Sequence, residues 1–380
     1  MRAAGDSSLL QRAADWPEYR DLDDLAPEVV REIAARQGLD FATALLYDRV
    51  LNSARHGPTI AAIDNVENGN AAGRNSTAPI AGNCSSEAAA TPSSDGLIGV
   101  VPGAFYLESP DSGADGNRFL PELRRLGRRC EVIHTESFGS PATNANLILS
   151  WLAAHRNEQV VLVSLSKGGA DVKHALAQDN AYNSVQTNVA GTRFANVAAW
   201  INVSGILDGS PLVRWLVDRP WRAWLVRAMF RWQGYRFSVL RELEHGRGSP
   251  LDFPLRLPAH LRALHVVGFP SVATLSSNLA RRGHRRMASS GPNDAVGIVL
   301  ADACRWPGVV YPVWGSDHYL RAPGREMGLI IGRLLDWLDG EIASPKADQS
   351  SDAPLNGESP SRTAPKSEHK LSTTGIKEQA

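Results

Sequence analysis

Short apolar runs rich in β-branched residues recur through the middle of the chain, at Leu97–Val101, Cys130–His134, Val160–Val163, Val197–Val203, Leu264–Gly268 and Val309–Val313. Runs of this length without polar alternation suit strands buried on both faces of a parallel sheet. Between several of them the apolar spacing becomes helical, over Asn117–Arg128, Thr143–His155, Lys167–Gln178 and finally Pro323–Leu338. The alternation predicts an α/β domain over residues 96–340, a mostly parallel sheet with helices on both faces. Ligands of such sheets bind at the carboxyl ends of the strands.

Upstream, Val29, Val30 and Ile33, then Phe41, Leu45 and Leu46 beyond Gly38, fall at helical spacing. Residues 1–52 are therefore expected to form a helical extension with a hairpin over Pro27–Asn52. Residues 53–95, above all Asp64–Asp95, hold few bulky apolar side chains and many Gly, Asn, Ser and Ala, the composition of a flexible linker. Residues 341–380 have the same character and are expected to be a disordered tail.

Charge and cysteine content narrow the partners. Forty basic and forty acidic side chains cancel, so no field over the whole molecule would gather nucleic acid. Cys84, Cys130 and Cys304 are odd in number and far apart, without the spacing of a zinc site or a disulfide framework. A reducing compartment fits them. The first residues lack the apolar core of a secretory signal, and no run reaches the ~18 apolar residues needed to span a bilayer. The expectation is a cytoplasmic protein.

Candidate chemistry sits where the third strand ends, in VVLVSLSKGGA, Val160–Ala170. If Ser166 is the tip of a tight strand-to-helix turn, the residues two before and two after it crowd together. These are Ser164 and Gly168, both small; with Ser164 at the tip, Leu162 would occupy the crowded place. The following helix would aim its N-terminal N–H groups at the turn, ready for a developing anion. Ser166 is the candidate nucleophile.

The stretch resembles the nucleophile elbow of the α/β-hydrolase superfamily, G-x-S-x-G, with Ser164 in place of the first glycine. Asn293-Asp294-Ala295-Val296 and Gly315-Ser316-Asp317-His318 resemble the acid and histidine loops of lipase-like members, in the order Ser, acid, His. Over residues 97–340 the resemblance implies Ser166 as nucleophile, His318 as general base and then acid, and Asp294 as the group orienting the imidazole. Asp208 and Asp317 are rival acids, and His134 follows a strand end as a residue that could line the pocket. The backbone N–H groups of Lys167 and of Ala104, in Pro102-Gly103-Ala104-Phe105, are the implied oxyanion donors, with Phe105 next.

The resemblance also implies a cap, here about 207–260, between the fourth and fifth strands. In it Trp221, Trp224, Leu225, Met229 and Trp232 recur at helical spacing, with Arg222, Arg227, Arg231 and Arg236 on other faces. Such a helix packs its aromatic stripe on the core, or serves as a lid whose stripe covers an acyl pocket or makes peripheral membrane contact, and the two roles are compatible. The activity implied is that of a serine esterase or lipase cleaving small-molecule or lipid-like carboxylic esters through an acyl-enzyme. Acyltransferase or thioesterase chemistry on the same three residues is an alternative, as is a non-catalytic binding protein. No motif calls for a metal, a dinucleotide or a P-loop nucleotide.

Overall fold

Six strands form one sheet, all parallel: β1 (Leu97–Val101), β2 (Arg129–Val132), β3 (Val160–Leu165), β4 (Val197–Val203), β5 (Arg262–Phe269) and β6 (Val309–Trp314). Their spatial order is β2-β1-β3-β4-β5-β6. β1 and β3 are buried along their whole length, and β4, β5 and β6 nearly so, which is why they read as unbroken apolar runs. β2, at one edge, is half exposed. The computed structural model describes residues 4–74, 96–185, 192–275, 277–321 and 326–343.

Four helices precede the sheet: α1 (Ala4–Ala14), α2 (Pro27–Gln37), α3 (Leu39–Asn52) and α4 (Gly57–Arg74). Crossovers carry α5 (Leu120–Arg125), α6 (Pro141–Ala154) and α7 (Lys167–Val185). The insertion after β4 holds α8 (Pro211–Val217), α9 (Pro220–Trp232) and α10 (Phe237–Glu242). Then α11 (Asn278–Arg286) and α12 (Leu300–Ala303) separate β5 from β6, and α13 (Met327–Ala343) follows. Local chemistry sets several of these ends. Ser140 caps α6, its hydroxyl accepting from the Thr143 N–H at 3.1 Å with Pro141 in the first turn. α5 is shorter than the expected Asn117–Arg128, since Pro121 confines its start and Gly127, at φ +78°, ends it.

Gly38, at φ +93°, divides α2 from α3 where the spacing of apolar residues breaks. α3 is the most buried of the early helices and lies against β5 and β6, with the Tyr47 ring 5.2 Å from Trp314 and 5.8 Å from Phe269. Part of the expected linker is not a linker. Residues 57–74 form α4, because Ile60 and Ile63, one turn apart, are buried, and tertiary packing of one face outweighs the weak propensity of a Gly- and Asn-rich segment. The Tyr311 hydroxyl donates to Asp64 at 2.7 Å. Just before α4, His56 accepts the Val310 N–H of β6 at 3.2 Å, so this helix unit covers the second edge of the sheet. The rest of the expected linker, 75–95, and the tail from 344 lie outside the described residues.

Candidate active site

The turn after β3 is as tight as its composition requires. Ser166 has φ +50°, a left-handed backbone rare for a residue with a side chain. Its N–H donates to the Val203 carbonyl at 3.0 Å. A Cβ on Gly168 would lie 2.6 Å from the carbonyl oxygens of Val101 and Pro102, and one on Gly169 would lie 2.6 Å from Asn202 Oδ1. Both glycines let α7 begin against the ends of β1 and β4. The turn holds the Ser166 hydroxyl at the carboxyl edge of the sheet.

Two segments from the far end of the chain meet it there. His318 Nε2 lies 2.8 Å from Ser166 Oγ, and His318 Nδ1 lies 2.5 Å from Asp294 Oδ2. The carboxylate selects the tautomer with a proton on Nδ1, which leaves Nε2 to accept from the serine. Asp294 is also a turn residue: its Oδ1 accepts the N–H groups of Val296, Gly297 and Ile298, at 3.1, 2.8 and 2.8 Å. The His318 N–H bonds the Asp294 carbonyl at 2.8 Å, locking the two loops together. Burial is the strongest single influence on the Asp294 carboxyl and opposes its ionisation. The charge and hydrogen bond of His318, with the N–H groups of Ile298 and Gly297, together hold it below the ordinary carboxylate range.

The rival residues are engaged elsewhere. Asp208 accepts from Lys173 Nζ at 3.1 Å and from the Trp306 indole at 2.5 Å. Asp317 accepts the Tyr319 N–H in its own turn. His134 is exposed and lines a surface groove with Trp151 and His155, apart from Ser166; its ring sits beyond the end of the half-exposed edge strand, where nothing covers it.

Beside Ser166 a cavity of about 310 Å³ is lined chiefly by apolar side chains, among them Phe105, Phe138, Leu212, Leu216 and Leu240, with His318 at its wall. Ala104 borders it too. Among the described residues the N–H groups of Ala104 and Lys167 take no hydrogen-bond partner, whereas the Phe105 N–H is bound to the Ser137 carbonyl at 3.1 Å. A Cβ on Gly103 would come within 3.3 Å of Ser166 Cβ, so glycine there allows the loop its approach.

A hydroxyl on a left-handed turn after β3, a carboxylate after β5 and an imidazole after β6 thus converge at one end of a parallel sheet. The chain has the α/β-hydrolase fold. No protein-family model and no curated protein matches it. Solved structures do. A metagenomic carboxyl esterase is 22% identical, with 70% of this chain and 80% of that one covered and a TM-score of 0.44. The mature lipase BlEst2 of Bacillus licheniformis is 20% identical, with 64% and 93% covered and a TM-score of 0.46. A type II thioesterase of a yersiniabactin pathway is 14% identical, with 66% and 96% covered and a TM-score of 0.37.

This α/β-hydrolase fold also explains the departure at Ser164. The Ser164 hydroxyl accepts from the Trp200 indole at 2.8 Å and donates to Asn202 Oδ1 at 3.0 Å; Asn202 in turn meets His265 Nδ1 at 3.1 Å. A glycine would leave the buried indole N–H unpaired. No motif in the sequence points to the Lys167 side chain, which is fully buried with its ammonium 2.8 and 2.9 Å from the Asp171 oxygens. Asn144 donates to Asp171 at 2.8 Å and bonds both backbone groups of Glu136. The first turn of α7 is so tied to the loop that carries Phe138. A Lys and an Asp four apart at a helix start were the available signal.

Proposed function

We propose that the protein is a serine hydrolase that cleaves carboxylic esters through an acyl-enzyme. The observation that carries this reading is the unbroken hydrogen-bonded chain Ser166–His318–Asp294 beside an apolar cavity. Ser166 Oγ attacks the ester carbonyl carbon while its proton passes to His318 Nε2. Asp294, whose other oxygen accepts three N–H groups, stabilises the imidazolium that results. The oxygen of the tetrahedral intermediate would accept from the N–H groups of Ala104 and Lys167, each typically worth about 3 kcal/mol of barrier. The C–O bond to the alcohol breaks as His318 returns the proton to the leaving oxygen. Water, deprotonated by His318, then attacks the acyl-serine, and the carboxylic acid leaves with Ser166 restored.

The cavity suits the acyl part of the substrate. Its lining is aliphatic and aromatic, and the cap helices supply Leu212, Leu216 and Leu240 from above. A fluorophosphonate should label Ser166 alone, as read by mass spectrometry of the digested protein. Ser166→Ala should escape labelling and lose p-nitrophenyl ester hydrolysis by at least about a thousandfold. Retained turnover in that variant, or no turnover of any ester by the wild type, refutes the proposal.

A further inference from the structure

The outward face of α9 is apolar where a soluble helix is expected to be polar. Trp221, Trp224 and Trp232 are 63, 67 and 86% exposed, with Leu225 and Met229 about half exposed among them. Positions 221, 224, 225, 228 and 232 follow the i, i+3, i+4, i+7 spacing of one helix face. The opposite face, Ala223, Val226 and Phe230, packs inward, and Phe230 joins Phe138 and Val239 in a separate apolar cluster beneath the cap. The aromatic stripe therefore does not pack on the core, which disposes of one of the two readings open from the sequence. The exposed apolar positions run from Trp221 to Trp232, the length of α9.

Charge on this face is mainly positive, with Asp218 before the helix paired to Arg222 at 3.9 Å. From Arg219 to Arg241 there are six arginines and no acidic residue, and Arg227 and Arg231 stand exposed on one flank of the stripe. α11 packs on α8 and adds exposed Arg281, Arg282 and Arg285. Arg286 stacks on Trp215 of α8, 3.8 Å from the ring centroid, and Arg222 stacks on the same ring at 4.0 Å. Since the chain as a whole has no net charge, this is a local positive field around an apolar ridge.

We propose that this face docks on an anionic lipid bilayer. Tryptophan and leucine between arginines is the composition of a helix lying in the headgroup region, apolar side down and cations against lipid phosphate. A second copy of the chain fits the face poorly, because a two-fold pairing would set arginines mainly against arginines, and Asp218, the carboxylate nearest the stripe, is already paired with Arg222 of α9. The inner side of the same cap lines the cavity beside Ser166, so docking would bring that cavity to the source of acyl chains. The docking itself stands whether or not Ser166 is a nucleophile.

Flotation of the full chain with vesicles tests it. The wild type should float with phosphatidylcholine–phosphatidylglycerol vesicles at low salt, and with pure phosphatidylcholine vesicles far less. Raising the salt to about 0.5 M should release most of it. The double variant Arg227→Gln/Arg231→Gln should bind anionic vesicles on the order of thirtyfold more weakly, and Trp224→Ser/Trp232→Ser at least about tenfold more weakly. All four side chains are exposed, so the tryptophan variant should melt with the wild type, and the arginine variant close to it, losing the stacking of Arg227 on Phe237. Equal binding by wild type and variants overturns the proposal. So does failure of the wild type to float, including where it instead forms a dimer lost in the tryptophan variant or is retained only by nucleic acid.

Discussion

Ser166 combines two demands that oppose one another. Its hydroxyl must stand clear of the sheet to meet His318, and the turn that achieves this places it at φ +50°, where any side chain costs energy that glycine does not. Comparing Ser166→Ala with Ser166→Gly isolates that cost, since both lose the bond to His318. The glycine variant should be the more stable by about 1 kcal/mol, read from urea midpoints; equal midpoints would mean the turn stores no strain. The meeting of Ser166, Asp294 and His318 can be read from the sequence because a tight turn permits so few residue types and because each group follows a strand end. The hidden partners cannot. Ser164 looks like a substitution for glycine until Trp200, 36 positions away, is seen to donate to it.

Elements were readable where one chain segment carries its own signal. The six strands and the break at Gly38 fall where apolar runs and a left-handed glycine require them. α4 and the orientation of α9 were not readable, because what decides each is the partner: an edge strand over 240 residues away for one, the choice of face to bury for the other. The cap's attachment is similarly non-local. Lys173, buried in α7, donates to the carbonyls of Leu207 at 2.8 Å and Leu251 at 2.9 Å, holding both ends of the insertion. Its contact with the partly exposed Asp208 adds little. Lys173→Met should leave both carbonyls unpaired and cost about 2–4 kcal/mol. Amides between residues 207 and 251 should then exchange with deuterium faster than those of the sheet, and uniform exchange across the chain would contradict the assignment.

At the scale of the molecule, three histidines set how stability follows pH. Burial, above every other influence, lowers His56, His174 and His265 from 6.5 to about 4. The unfolded chain therefore binds more protons than the folded one between about pH 4 and 6.5. By linkage the stability they contribute is full above about 6.5 and is lost as pH falls toward 4. For the fully buried His56 and His265 this amounts to roughly 3 kcal/mol each at most, at about 1.4 kcal/mol per pKa unit. The urea midpoint should rise between pH 5 and 6.5, above the carboxylate range, and level off beyond it; a flat or falling midpoint there would show that these rings do not titrate as argued.

His56 has one more consequence. It reaches Val310 across 254 positions of sequence, so the opening helices, which pack on one another and on β5, close over the sheet edge only once β6 exists. On a ribosome that closure waits until residue 310 of the 380 has been made. Closure of so long a loop belongs among the late steps of folding, the moment at which the beginning and the end of the domain meet.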